Sequence, residues 1–253
     1  MTGAIIASES LVSPSSSSPS LSTSPPPSPS SILSKTDSYV RSALANRDAS
    51  HGYTHAVSVS SNASAIMRLS PKFPELPFTD LPPTDIVKVA AMLHDVADHK
   101  YLSREGPGVK ASLDAFMSST FSPKDVLVIH SIIDNISFSA ESKGKLDLNL
   151  LPPFVLMLRH IVSDADKIEA LGPVGLTRCY SYSKEINPTG SEDDHWRHVA
   201  VHCDEKLLRL RGEYIRTEGG KKLSEQGHEF LRKWREEVGS KYVEVEGGGG
   251  KEN

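Results

Sequence analysis

Residues 90–100 read AAMLHDVADHK, and this stretch decides how the chain is expected to fold. Apolar residues recur every three or four positions before and within it, at Ile86, Val89, Ala90, Leu93 and Ala97. This spacing is typical of one face of an α-helix. It predicts a helix over residues 84–97, with His94 and Asp95 close to the apolar face.

A histidine and an aspartate near an apolar face are costly to bury unless they are paired or bound to a cation. A divalent metal ion would satisfy both His94 and Asp95. Adjacent residues on a helix point about 100° apart, so further ligands must come from other helices. His55 and Asp164 lie in other amphipathic segments and are the obvious donors. Two imidazoles and two carboxylates suit Mn, Fe, Co, Ni or Zn better than Ca.

The remaining patterns are also helical. Ser122, followed by Pro123, is a helix start that predicts a helix over 123–136. A second predicted helix, 153–170, contains Asp164, and the chain's last apolar stripe comprises Leu223, Gly227, Phe230, Trp234 and Val238. Strand signals are scarce. We therefore expect an all-α single domain, a helical bundle of about seven to nine helices.

The first 34 residues differ from the rest, with fourteen Ser, six Pro, one acidic residue and no Lys or Arg. Such a segment has little apolar surface to offset its ordering entropy, so residues 1–34 are predicted to be a disordered tail. The predicted folded domain spans 35–245, followed by a flexible Gly-rich tail at 246–253. Transit peptides need basic residues, and none occurs in this segment before Lys35. We therefore expect a cytoplasmic location, with organelle targeting left open.

Composition excludes several classes of protein. The 253 residues include 28 Lys and Arg against 32 Asp and Glu, a net charge of −4, which argues against a general nucleic-acid or anionic-membrane binder. No apolar run approaches the roughly 20 residues of a spanning helix. Two cysteines are too few for a disulfide framework.

The order His…His-Asp…Asp resembles the HD superfamily of metal-dependent phosphohydrolases. The similarity extends over HGYTH (51–55), AAMLHDVADHK (90–100), ISFS (136–139) and IVSDADKIEALGPVGLTR (161–178). The last block is the most specific. Together these blocks resemble the subfamily that contains a bacterial nucleoside triphosphate pyrophosphohydrolase.

The resemblance implies an HD-type helical bundle with His55, His94, Asp95 and Asp164 as metal ligands. It also implies a divalent ion, first Mn²⁺, with Co²⁺, Ni²⁺, Fe²⁺, Mg²⁺ or Zn²⁺ as alternatives. The implied reaction is hydrolysis of a phosphoanhydride or phosphoester of a small nucleotide, for example a nucleoside triphosphate to monophosphate and pyrophosphate. Ser58 stands where the family usually has Arg, which leaves substrate choice open.

Four further residues are candidates for contact with substrate or water. Asp98 follows His94 and Asp95 at helical spacing and is a candidate to orient or deprotonate the attacking water. Lys100 and Arg178 are candidates to bind phosphate oxygens. His51, one turn before His55, is a candidate to contact the substrate. The sequence leaves self-association open.

Two other functions are also considered. A di-iron HD-type oxygenase would need additional histidines between His-Asp and the last Asp, and His99, His130 and His160 fall there. A non-catalytic metal- or nucleotide-binding regulatory module is the second alternative, motivated by Ser58.

Overall fold

The computed structural model describes residues 29–47, 51–70, 79–98, 106 and 108–243. Within these ranges the chain forms α-helices and no strand, which confirms the predicted all-α class. Ten α-helices occur there, one above the predicted upper number, because a helix of only five residues adds to the count.

The ten helices are numbered in chain order. They are α1 Pro29–Ala43, α2 Tyr53–Leu69, α3 Pro83–Leu93, α4 Gly108–Thr120, α5 Pro123–Ile133, α6 Phe138–Ser142, α7 Pro153–Glu169, α8 Gly172–Ile186, α9 Glu192–His202 and α10 Glu218–Glu237. Two π-helical segments, Cys203–Leu207 and Leu210–Tyr214, join α9 to the last helix.

Helix α3 lies at the centre of the larger hydrophobic cluster. Eight of its eleven residues are buried, and it contacts α1, α2, α5 and α7. A helix that is apolar on nearly every side is stable only when other helices surround it. A second cluster is formed by α8, α9, the π segments and α10, and Ile168 of α7 packs against both clusters.

Helix α3 ends at Leu93, and the predicted extension to residue 97 is wrong. His94 and Asp95 lie instead in the turn that follows. Carbonyl groups at a helix end lack intrahelical donors. The Arg47 guanidinium supplies donors here, because it hydrogen-bonds the backbone oxygens of Asp95 and, at 2.7 Å, Val96.

Two other predicted helices are largely confirmed. The Ser122 hydroxyl accepts a hydrogen bond from the backbone N–H of Asp125 at 3.3 Å, so it caps α5 as predicted. That helix ends at Ile133 rather than 136. Helix α7 ends at Glu169, one residue before the predicted boundary.

The folded part begins earlier than the predicted residue 35. Helix α1 begins at Pro29, and Ile32 within it is buried in the larger cluster. The segment was predicted to be disordered because it is rich in Ser and Pro. It nevertheless contains Ile32 and Leu33, two apolar residues that pack on the core. Residues 1–28 and the predicted tail 246–253 lie outside the described residues.

Helix α10 is amphipathic, and its buried side differs slightly from the predicted one. Leu231 is fully buried, whereas Phe230, which the predicted stripe included, is 40% exposed. Among the described residues, no helix combines the length and apolar character needed to cross a membrane.

Candidate metal centre

Three of the predicted ligands converge in the structure. His55 comes from α2, whereas His94 and Asp95 come from the turn after α3. His55 Nε2 lies 3.4 Å from Asp95 Oδ2, and His94 Nε2 lies 3.3 Å from Asp95 Oδ1. Among the described residues, this is the one group of three His, Cys, Asp or Glu whose ligand atoms lie within 4.8 Å of each other.

The structure does not bring the fourth predicted ligand, Asp164, to this group. Asp164 is fully buried, and its carboxylate accepts hydrogen bonds from the backbone N–H of Arg216 at 3.0 Å and of Thr217 at 2.7 Å. The Thr217 hydroxyl also donates to it, at 2.7 Å. These contacts connect α7 to the segment that leads into α10.

Asp166 reaches the group instead. Its Oδ1 lies 3.3 Å from His55 Nε2 and 3.8 Å from His94 Nε2. Residues two positions apart on a helix point about 200° away from each other, so the two aspartates of α7 face different neighbours. We call His55, His94, Asp95 and Asp166 the four-residue cluster.

The four side chains impose a strong field on one another. Burial alone would lower the pKa of His94, but Asp95 and Asp166 outweigh it and raise that pKa to about 9. Burial likewise opposes the shift at His55, whose pKa the same carboxylates raise. The two imidazoles lower the pKa of Asp95 and Asp166 against the effect of burial. A field that attracts protons to the imidazoles also attracts a cation.

Several buried polar atoms of the cluster fit a metal ion. His55 Nε2, His94 Nε2 and Asp95 Oδ2 are buried and make no hydrogen bond within the described residues. Such atoms are costly unless something satisfies them. His94 Nδ1 lies 2.8 Å from the carbonyl oxygen of Ala91, which can only accept, so Nδ1 donates. Nε2 is therefore the ring atom that can bind a metal, and it does so by exchanging its proton for the ion.

The cluster opens into a cavity of about 320 Å³, lined in part by His94, Asp95 and Asp166. Three of the predicted catalytic or substrate-binding residues also line this cavity: His51, Asp98 and Arg178. The structure therefore brings them together with the cluster. Lys100, the fourth such residue, lies outside the described residues.

Other cavity residues were not identified from the sequence. They are Lys110, Lys167, Lys206 and Asp134, whereas Phe138, which also lines the cavity, belongs to the ISFS stretch that carries part of the resemblance. Lys167 directly follows Asp166, and this adjacency was the one local signal that could have pointed to it.

The histidines of the di-iron alternative form no second cluster among the described residues. His130 lines the cavity, but its Nε2 lies 3.4 Å from Asp114 and its Nδ1 lies 3.9 Å from Asp134. Burial, together with Arg159, lowers the pKa of His160 to about 4. His99 lies outside the described residues.

Replacing Arg47 with alanine is expected to weaken metal binding about tenfold, the effect typical of a residue that orients a ligand. Arg47 hydrogen-bonds the turn that carries Asp95, so its loss frees that turn to move. Isothermal titration with Mn²⁺ measures the change. Arg232→Ala, which removes an exposed arginine whose ion pairs with Glu229 and Glu236 stay within α10, is the control and should leave the affinity unchanged. Equal affinities in all three proteins would contradict this role.

Comparison with known proteins gives relatives of the same architecture. No family model matches the chain. The Bacillus subtilis protein YpgQ, itself uncharacterized, is 26% identical over 195 residues, which are 76% of this chain and 85% of YpgQ. The crystal structure of YpgQ in complex with ADP has a TM-score of 0.61 at 21% identity, covering 85% of this chain and 97% of that one.

An HD-superfamily hydrolase from Bacillus thuringiensis has a TM-score of 0.51 at 21% identity, covering 85% of this chain and 98% of that one. The chain therefore has the fold of the HD superfamily, which confirms the predicted resemblance at the level of fold. The closer resemblance to nucleoside triphosphate pyrophosphohydrolases stays a prediction.

Proposed function

We propose that the protein is a metal-dependent phosphohydrolase acting on a nucleotide. The observation that carries this proposal is the four-residue cluster, with its unsatisfied buried nitrogen and oxygen atoms, at the wall of a cavity. The first candidate reaction is hydrolysis of a nucleoside triphosphate to the monophosphate and pyrophosphate.

His55, His94, Asp95 and Asp166 would hold the metal. Asp166 replaces Asp164 in this proposal, because the Asp164 oxygens already accept three hydrogen-bond donors. The mixed N/O donor set suits Mn²⁺ first, with Co²⁺, Ni²⁺, Fe²⁺, Mg²⁺ or Zn²⁺ as alternatives. When bound, such an ion supplies Lewis-acid polarisation of a phosphoryl oxygen and lowers the pKa of a coordinated water.

The other cavity residues have separate proposed roles. Asp98 follows the cluster in the same turn, with its backbone N–H 3.1 Å from the carbonyl oxygen of Asp95. Its carboxylate is the proposed proton acceptor for the attacking water. Arg178 and His51 are proposed to contact the substrate, and Lys100 is retained as a phosphate-binding candidate.

A nucleotide fits the chemistry of this cavity. YpgQ, which shares the fold, has been crystallised with ADP. The volume of about 320 Å³ is at the lower end of the range for small-molecule sites. Cationic side chains suit the phosphates, and the Phe138 ring offers an apolar surface for a base or sugar.

The decisive experiment is incubation of the full chain with Mn²⁺ and a panel of nucleoside mono-, di- and triphosphates. We expect metal-dependent release of pyrophosphate from at least one triphosphate, and a loss of at least 100-fold in Asp95→Ala. Release of orthophosphate would indicate a phosphatase instead. Binding of metal and nucleotide without turnover would favour the regulatory module.

A further inference from the structure

A buried group of charges lies beside the cavity, apart from the four-residue cluster. The Glu141 carboxylate of α6 accepts hydrogen bonds from Arg159 at 2.8 Å and from Lys167 at 3.1 Å, both on α7. Arg216 reaches its other oxygen at 3.4 Å. Arg159 is fully buried and Lys167 is only 3% exposed. We call these four residues the Glu141 group.

The Glu141 group is not neutral. Two buried cations, Arg159 and Lys167, share one buried carboxylate, and Arg216 adds a third positive charge from the surface. Burying a charge is costly unless it is paired. The carboxylates of Asp164 and Asp166 lie near enough to Lys167 to offset part of this positive charge, and a substrate phosphate would offset more of it.

Lys167 connects this group to the cavity. Its ammonium donates to Glu141 and to the Ser163 hydroxyl, and an ammonium has three N–H groups. Lys167 lines the cavity and directly follows Asp166 of the four-residue cluster. A third N–H is thus available to a ligand that reaches Asp166.

Glu141 also fixes the wall of the cavity formed by α6. Ser137, Phe138 and Ser139 line the cavity, and no residue of α6 is fully buried, although the Glu141 side chain is only 7% exposed. Phe138 makes an edge-on contact with Tyr214, with ring centroids 4.9 Å apart, and packs against the second hydrophobic cluster. The ion pairs of Glu141 add a direct connection from this short helix to α7.

We propose that Lys167 forms a phosphate subsite next to the metal ligands and that Glu141 is its positioning residue. Lys167 binds an oxygen of a substrate phosphate, and Glu141 holds the ammonium and α6 in the places that make this contact possible. The inference rests on the proposed nucleotide substrate and adds to it a charged contact separate from the metal.

A double-mutant cycle on the full chain tests the proposal. The variants are Lys167→Met, Glu141→Gln and both together, and isothermal titration in the presence of Mn²⁺ measures the affinity for ADP and for inorganic pyrophosphate. We expect each single variant to bind at least tenfold more weakly than the wild type. The double variant should be no weaker than Lys167→Met, because Glu141 acts through the lysine.

The matched control makes the same substitutions in an exposed Glu–Lys pair. Glu229→Gln and Lys233→Met alter a pair 3.7 Å apart on the surface of α10 and should leave ADP affinity within about twofold of the wild type. Bound Mn²⁺, measured by elemental analysis, should be unchanged in every variant. Glu141→Asp, which keeps the charge but shortens the side chain, replaces Glu141→Gln if the latter does not fold, with the same expected loss.

Several outcomes overturn the proposal. They are wild-type affinity in Lys167→Met, additive losses in the double variant, or a wild type that holds Mn²⁺ but binds neither ADP nor pyrophosphate. A wild type that binds both ligands through Lys167 and turns over no nucleotide supports the subsite and contradicts the hydrolase function alone.

Discussion

Replacing His94 with alanine is expected to abolish the stabilisation that Mn²⁺ gives the wild-type protein. A ligand that binds only the folded state stabilises it by about 4 kcal/mol at a thousandfold excess over its dissociation constant. For a domain of this size, that corresponds to a rise of about 10 °C in Tm. His94 Nε2 is one of the buried atoms without a hydrogen bond, so the substitution removes a proposed ligand atom. It also removes the Nδ1 hydrogen bond to Ala91, but that loss lowers the Tm equally with and without metal.

Differential scanning fluorimetry with Mn²⁺ and with EDTA measures this effect. The wild type should melt about 10 °C higher with Mn²⁺ than with EDTA, whereas His94→Ala should show a difference below about 2 °C. His130→Ala is the control, since His130 lines the same cavity but lies against Asp114 and Asp134. A wild-type Tm that is the same in both conditions would exclude a metal site in the four-residue cluster.

Features that depend on neighbouring residues were predicted well from the sequence. The start of α5 follows from Ser122 and Pro123, and the structure places both in the expected roles. The apolar side of α3 follows from residues three or four positions apart, and Ile86, Val89 and Leu93 are fully buried. In both cases the determining contacts lie within one or two helical turns.

The end of α3 could not be predicted in this way. The turn after Leu93 is held by Arg47, which donates to the backbone oxygens of Asp95 and Val96 and lies 49 positions before Val96 in the chain. Such a contact is fixed by the packing of α1 against α3 and leaves no local pattern. The position of Glu141 beside Lys167 is likewise set by tertiary packing, 26 residues apart.

The choice between Asp164 and Asp166 did have a signal in the sequence. Asp164 comes three residues after Ile161 and four before Ile168, so it lies on the core-facing stripe of α7. A carboxylate there must find donors inside the fold, and it finds those of Arg216 and Thr217. Asp166 lies off this stripe and therefore points into a different space.

Helix α7 connects three parts of the candidate site. Asp164 anchors it to the segment before α10, Asp166 joins the histidines of α2 and the turn after α3, and Lys167 pairs with α6. Four consecutive residues, 164–167, thus face three different neighbours. A rotation of this helix would disturb all three contacts. In the proposed site, Asp164 therefore acts on the geometry of the cluster through its hydrogen bonds, and Asp166 is the proposed ligand.

Asp164→Ala and Asp166→Ala should affect different properties of the protein. The first should lower the stability of the fold, and the second should weaken metal binding. Asp164→Ala leaves the N–H groups of Arg216 and Thr217 without the buried carboxylate that accepts from them, which costs about 3 kcal/mol. We therefore expect its Tm in EDTA to fall by about 6 to 12 °C, while Mn²⁺ still raises it. Asp166→Ala removes a proposed ligand and should weaken Mn²⁺ binding by at least 100-fold.

The two substitutions control for each other, because they remove the same group two positions apart on one helix. Melting in EDTA reports the structural role, and Mn²⁺ titration followed by elemental analysis reports the ligand role. If Asp164→Ala lost its metal while Asp166→Ala kept it, the ligand assignment from the sequence would be correct and the assignment from the geometry wrong. If neither variant lost metal, His55, His94 and Asp95 would suffice to hold the ion, and Asp166 would act only on the protonation of the histidines.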